Sequence, residues 1–253
     1  MLKKLSIAAA VLAVPFMFTA QAQAQTAVAL ELQLLVDTSG SVNDTEYDLQ
    51  KGGYVAAFQD PTIQAAIAAL AGSGGIAVQY VEWSSSNEQA VLVPWTQITD
   101  AASANAFAAA ISASSRAFSG LTAPGSAIDF ATPLFNNGFD GTRLVIDVSG
   151  DGSQNDGSST AAARNNAVAS GITINGLAIL GSEAGLDTWY QNNIVGGPAG
   201  RPGFLVTAAS FADFENAVKT KIGREITPTP EPGTLALLGI GLIGLAFGRR
   251  RTT

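Results

Sequence analysis

The sequence predicts an α/β fold: a doubly wound, mostly parallel sheet with one antiparallel edge strand, contained in a single domain. Strand and helix patterns alternate along residues 26–226, and such alternation places successive strands side by side with helices covering both faces. One pair of strand patterns is separated only by the polar turn at residues 84–88, a hairpin that adds an antiparallel edge. The chain has 253 residues, 47% hydrophobic and 13% charged, which supports a real core in one domain of about 200 residues and excludes intrinsic disorder.

The elements follow in order. Residues 30–36 form an apolar run that stops at Asp37. Tyr47, Tyr54 and Phe58 recur at roughly helical spacing over 44–58. Residues 61–70 form an alanine-rich helix, and residues 76–83 and 90–95 are the two strands of the hairpin. A helix is expected over 101–114, and another over 125–135 with Pro133 perturbing its end. A buried strand at 144–148 precedes a helix at 160–169 that Gly171 terminates. A strand at 172–179, a short helix at 184–193 and a last strand at 204–206 come next. Ser210, with Asp213 in capping-box position, opens a final helix whose stripe is Phe211, Phe214, Val218 and Ile222.

Composition narrows the chemistry. There are no cysteines and no histidines, so disulfides, thiolate nucleophiles and imidazole bases or ligands are excluded. Any metal site must be built of oxygen, which favours Mg²⁺, Ca²⁺ or Mn²⁺ over Zn²⁺ or Cu²⁺. Removal of residues 1–24 and 233–253 would strip five positive charges and take the formal net charge from −7 to −12. A surface that acidic repels polyanions, so no nucleic-acid partner is expected.

Both ends read as addresses. Lys3 and Lys4, an apolar stretch over 5–18, and small residues at 20–24 form a secretory signal, with cleavage by signal peptidase after Ala22 or Ala24. At the other end Thr227-Pro228-Thr229-Pro230 begins a stiff linker, residues 227–231. Pro230-Glu231-Pro232-Gly233 then precedes an apolar run and Arg249-Arg250-Arg251. Residues 230–253 closely resemble the PEP-CTERM sorting signal, with a short transmembrane helix at 234–248. That resemblance implies a Gram-negative source, extracellular polysaccharide, exosortase processing and a transient inner-membrane anchor, a permanent anchor being the alternative. Gly239, Gly241 and Gly244 match a dinucleotide-binding fingerprint but lack its strand, helix and acidic residue.

The first main strand ends in Asp37-Thr38-Ser39-Gly40-Ser41. Taken alone, Asp37 and Ser39 could equally cap a turn. Two further segments occur in order: Leu121-Thr122-Ala123-Pro124-Gly125-Ser126-Ala127-Ile128, and a strand ending in Ser149-Gly150-Asp151-Gly152. Together the three resemble the metal-ion-dependent adhesion site (MIDAS) of von Willebrand factor A (vWA) domains, Pro124 standing where the family has a second threonine. Residues 80–84, 148–152 and 172–176 also resemble a bacterial branch of that superfamily known as a domain of unknown function. The resemblance spans nearly all of residues 28–226, within an expected vWA-like domain at 26–226. It implies that Ser39, Ser41 and Thr122 bind a divalent cation directly, with Asp37 and Asp151 holding it directly or through water. Mg²⁺ is the first expectation, with Ca²⁺ or Mn²⁺ as alternatives.

Weaker candidates flank this set. Asp147, inside an apolar strand, is expected to be a hydrogen-bonded structural carboxylate; Glu82 ends a strand, where a place near the metal rim and a solvated or structural role are both open. Asp151, Ser153, Asn155 and Asp156 lack the glycine and distal glutamate of a calcium loop. Trp83, Trp95 and Trp189 are expected in packing roles. The function expected is a non-enzymatic, exported binding or adhesion module of the cell envelope or polysaccharide matrix, taking an acidic protein or polysaccharide ligand. A metal-dependent hydrolase and a structural matrix protein with a vestigial site are the alternatives.

Overall fold

The computed structural model describes residues 24–227. The expected signal segment up to residue 23 and the expected membrane helix at 234–248 lie outside these residues. Among the described residues, no helix is long and apolar enough to cross a membrane.

A three-residue strand, β1 (Thr26–Val28), leads into β2 (Leu30–Asp37), all eight of whose residues are buried. Asn43 opens α1 (Asp44–Gln59) through a reciprocal capping box with Glu46. Asp60 caps α2 (Pro61–Ala69), where Pro61 occupies the first turn and loses no helical hydrogen bond. The hairpin strands are β3 (Ile76–Trp83) and β4 (Gln89–Ile98). β4 outruns the expected 90–95 because register irregularities between Val78 and Val81 let pairing resume beyond Pro94. α3 (Ala101–Ala113) and α4 (Pro124–Ala131) follow. The expected helix at 125–135 instead passes at Thr132 into a 3₁₀ turn carrying Pro133. The chain then alternates through β5 (Phe139–Gly141), β6 (Leu144–Gly150), α5 (Thr160–Ala169), β7 (Thr173–Ile179), α6 (Leu186–Asn193), β8 (Leu205–Ala208) and α7 (Phe214–Ile226). Ser210 and Asp213 bond through their side chains at 2.8 Å, but residues 211–213 form a 3₁₀ turn and α7 starts only at Phe214.

Six strands form the main sheet in the order β4-β3-β2-β6-β7-β8, and β1 pairs with β5 in a separate parallel ribbon. Every pairing in the main sheet is parallel except β3–β4. The doubly wound expectation therefore holds. Leu30, Leu32, Leu34 and Val36 face a core shared with α1, α2, α3 and α7. Leu35, Val81, Ile146 and Val148 face a second core under α4, α5 and α6. Each fully buried large side chain contributes roughly 1.5–3 kcal/mol, so two covered faces hold the sheet without disulfides. After β2 the chain winds first toward β3 and later toward β6 on the other side. The carboxyl ends of β2 and β6 thus flank the switch point, where α/β sheets open a crevice.

Candidate metal centre

Asp37 is the last residue of β2, and Asp151 follows the end of β6. Both strands are pinned in register, Val36 opposite Ser149, so the two carboxylates leave the same sheet edge. The turn after Asp37 is held from below and from the side. Gln50 Nε2 donates to the Asp37 carbonyl at 2.9 Å. The Arg116 guanidinium donates to the carbonyls of Thr38, Ser39 and Val42 at 2.9, 3.0 and 2.7 Å. The Gly40 N–H reaches the Gly120 carbonyl at 2.7 Å, joining this turn to the loop that carries Thr122.

That loop is fixed by two neighbours. Ser84 Oγ accepts the Gly120 N–H at 2.6 Å and donates to the Leu121 carbonyl at 3.1 Å. Asn155 Oδ1 accepts the Thr122 N–H at 2.9 Å, and the Asn155 N–H returns to the Thr122 carbonyl at 3.0 Å. Thr122 is thereby tied to the loop after β6. A Cβ placed on Gly152 would lie 3.8 Å from Thr122 Oγ1.

Three of the side chains named from the sequence, Ser39, Ser41 and Asp151, meet directly. Ser39 Oγ and Ser41 Oγ are 3.1 Å apart, and Ser41 Oγ donates to Asp151 Oδ1 at 2.6 Å. Asp37 Oδ1 accepts the Ser39 N–H at 2.8 Å. Ser41, Thr122 and Asp151 line a hollow of about 240 Å³ with Ser153, Asn155, Ser182 and Glu183. Asp37 and Ser39 are fully buried and do not line it. Burial pushes the Asp37 carboxyl up to about 7, against the hydrogen bonds from Ser39 and with the nearby Asp151 charge adding to the rise. Asp151 is also raised by burial, and the bond from Ser41 opposes this.

These residues fit a hard cation. Asp37 Oδ2 is buried without a hydrogen-bond partner, an arrangement that is costly for a carboxylate unless a cation or water completes it. The donor set combines two carboxylates with three hydroxyls, all oxygen. Among the described residues no three His, Cys, Asp or Glu side chains gather as metal ligands, so any ion here depends on the hydroxyls.

The weaker candidates lie elsewhere. Glu82 is buried and accepts from Tyr47 Oη at 2.7 Å and the Ala117 N–H at 2.8 Å, anchoring the loop that carries Arg116. Asp147 turns into the core, where its carboxylate pairs with Lys221 Nζ. Asp156 accepts the Ser86 N–H at 2.7 Å. Trp83 is fully buried, and Trp95 Nε1 donates to the Leu134 carbonyl at 3.0 Å. Sequence reasoning missed Arg116 and Glu183. Glu183 follows β7 at the same sheet edge and accepts the Ser153 N–H at 2.8 Å, and its position just past a strand was the available signal.

Comparison with known proteins gives the fold a family context. Proximal thread matrix protein 1 from the mussel byssus is similar at 17% identity and a TM-score of 0.56, over 78% of this chain and 47% of that one. A second structure of that protein, described as having a zinc-occupied MIDAS motif, is similar at 15% identity and a TM-score of 0.51, over 79% of this chain and 47% of that one. The pilus adhesin SpaC from Lactobacillus rhamnosus GG is similar at 17% identity and a TM-score of 0.58, over 81% of this chain and 31% of that one. A von Willebrand factor type A protein from Catenulispora acidiphila is similar at 13% identity and a TM-score of 0.52, over 79% of this chain and 43% of that one. This chain thus spans about half the length of the mussel protein and less of the other two. No curated protein matches. The fold is that of vWA domains. Residues 228–251 match the PEP-CTERM protein-sorting motif, which implies export, envelope association and exosortase processing. Residues 27–230 match the family described as "Protein of unknown function (DUF1194)", and the chain belongs to that family.

Proposed function

We propose that this protein is a non-enzymatic, cation-dependent binding module of the cell envelope or its surrounding matrix. The reading is carried by the convergence of hydroxyls and carboxylates from three separate loops at the carboxyl edge of the sheet. Ser39, Ser41 and Thr122 would hold a divalent cation directly, and Asp37 and Asp151 would hold it directly or through water. Hydroxyls carry no charge, so the ion keeps a residual positive field, and an acidic group of a protein or polysaccharide completes its coordination. Mg²⁺ suits this small, oxygen-only site best, with Ca²⁺ and Mn²⁺ as competitors. The zinc-bound MIDAS motif of the mussel protein and the adhesin among the similar structures support the reading. We further propose that residues 1–24 are a cleaved signal, 26–226 the binding domain, 227–231 a spacer, and 230–253 a transient membrane hook with its helix at 234–248.

The test is isothermal titration of the full chain with Mg²⁺, Ca²⁺ and Mn²⁺. Saturable one-site binding is expected, with a loss of at least tenfold in affinity in Asp37→Ala and in Ser39→Ala. Unchanged affinity in both variants would overturn the proposal.

A further inference from the structure

The far side of β6 carries a second cluster of ionisable groups that the candidate metal centre does not use. Asp147 sits in mid-strand, and Lys221 and Glu225 lie one turn apart on α7. All three are buried: Asp147 and Lys221 fully, Glu225 at 2% exposure. Lys221 Nζ touches Asp147 Oδ1 and lies 3.2 Å from Glu225 Oε1. Asn175, paired in register with Asp147 on the neighbouring strand, donates to Glu225 Oε1 at 2.8 Å and holds that carboxyl in place.

A conventional buried ion pair does not describe this cluster. Such a pair survives only when hydrogen bonds satisfy its remaining protons and lone pairs. Here Lys221 Nζ reaches one oxygen of each carboxyl, but Asp147 Oδ2 and Glu225 Oε2 are left without hydrogen-bond partners. One amine also faces two carboxyl groups, so at least one carboxyl must stay protonated. Burial raises Asp147 and pushes Glu225 up to about 7, which favours the neutral acids. Condensation requires a neutral amine in contact with a neutral carboxylic acid, forms that proton transfer within the dry pair would supply.

We propose that Lys221 and Asp147 condense into an intramolecular isopeptide bond, with Glu225 as the proton relay. The Nζ lone pair attacks Asp147 Cγ and forms the C–N bond. The C–OH bond of Asp147 breaks and one water leaves. Glu225 Oε1 takes a proton from the nitrogen, the other Glu225 oxygen supplies one to the departing hydroxyl, and Glu225 ends unchanged. No oxidant or cofactor enters the balance. Fixed placement of amine and acid supplies an effective concentration that two free solutes cannot reach, and exclusion of water protects the product from hydrolysis. The bond would staple α7, the last element before the sorting motif, to a central strand of the sheet. A chain without cysteine would so gain a covalent tie against tension applied through its C-terminus.

The test is mass spectrometry of the full chain after tryptic digestion. The expected product is a branched species joining peptide 144–164 to peptide 220–224, lighter than the two together by one water and uncleaved after Lys221. Linear peptide 144–164 with cleavage after Lys221 throughout would overturn the proposal. Glu225→Gln, confirmed as folded by circular dichroism, is expected to lose the branched species. Its persistence in that variant would overturn the relay assigned to Glu225.

Discussion

Two adjacent glycines in α1 should respond to alanine with opposite signs. Gly52 faces open space, with nothing within 4 Å of an added Cβ. Gly53 faces α7, where an added Cβ would sit 2.6 Å from Phe214 Cδ1 and 3.3 Å from the Glu215 Cα. Helix propensity alone favours alanine over glycine by about 1 kcal/mol at either position. At Gly52 nothing opposes that gain, so Gly52→Ala should stabilise by about 1 kcal/mol. At Gly53 the methyl meets a ring that is fully buried and packed edge-on to Tyr54 at 5.5 Å. The ring cannot back away without opening the α1–α7 contact, and overpacking of this kind costs about 1–3 kcal/mol. Subtracting the propensity gain leaves Gly53→Ala destabilised by up to about 2 kcal/mol. In a domain of this size each kcal/mol moves Tm by roughly 2–4 °C, so calorimetry should show one variant melting above the wild type and the other below. A Gly53→Ala variant as stable as Gly52→Ala would refute the close packing of α1 on α7.

Other perturbations probe the site and its supports. Gly150→Ala would put a methyl 2.6 Å from Asp37 Oδ2 and 2.7 Å from Tyr190 Oη; it should cost about 1–3 kcal/mol and abolish any cation-induced rise in Tm, which scanning fluorimetry with Mg²⁺ and with EDTA would report. In the wild type, Mg²⁺ at one hundred times its Kd should add about 2.7 kcal/mol, a rise of roughly 5–10 °C, and identical melting with and without chelator would contradict this. Tyr47→Phe removes one of the donors to Glu82 and should cost about 1.5–3 kcal/mol; a urea midpoint matching the wild type would show that this bond does not hold the loop bearing Arg116. Burial holds the Glu82 carboxyl above the ordinary glutamate value of 4.5, so the folded state keeps this proton to higher pH than the unfolded state. The stability Glu82 contributes is therefore complete below 4.5 and lost as pH rises through its folded value. Urea midpoints of Glu82→Gln should lack that part of the decline, and parallel pH profiles for variant and wild type would refute it.

The layered fold was legible because a parallel sheet covered on both faces writes its strands as apolar runs. β2, β6 and β7 are such runs, and their ends fell within a residue or two of expectation. β1 and β5 were not legible: each is only three residues long, too short for a period-two pattern, and each exists through pairing with the other. The side chains of the candidate site were legible because Asp37, Ser39, Ser41, Thr122 and Asp151 stand where strands or helices begin or end. Arg116 was not, because what it binds are backbone carbonyls of a turn far away in sequence, and no local spacing encodes that. Lys221 and Glu225 lie in the same helical stripe as Phe214 and Val218, so two charged residues on an apolar face were visible in the spacing. What hid their role was Asp147, a partner on a distant strand that reads locally as an isolated structural acid.

Under the proposed reading, the acidic surface and the hydroxyl-rich site explain each other. A domain trimmed to a formal charge of −12 repels anionic polymers over distances set by ionic strength. Such a surface would gain little from a cation caged by many carboxylates, because the ion's field would be spent inside the protein. Ser39, Ser41 and Thr122 would coordinate without neutralising, and the carboxyls of Asp37 and Asp151 are both disfavoured as anions by burial. A bound ion would then be a local positive point on a negative background. Its field would reach an acidic ligand chiefly at contact distance, where desolvation strengthens it. Recognition would thus depend on the cation for its short-range attraction and on the surface charge for rejecting polyanions that cannot reach the ion.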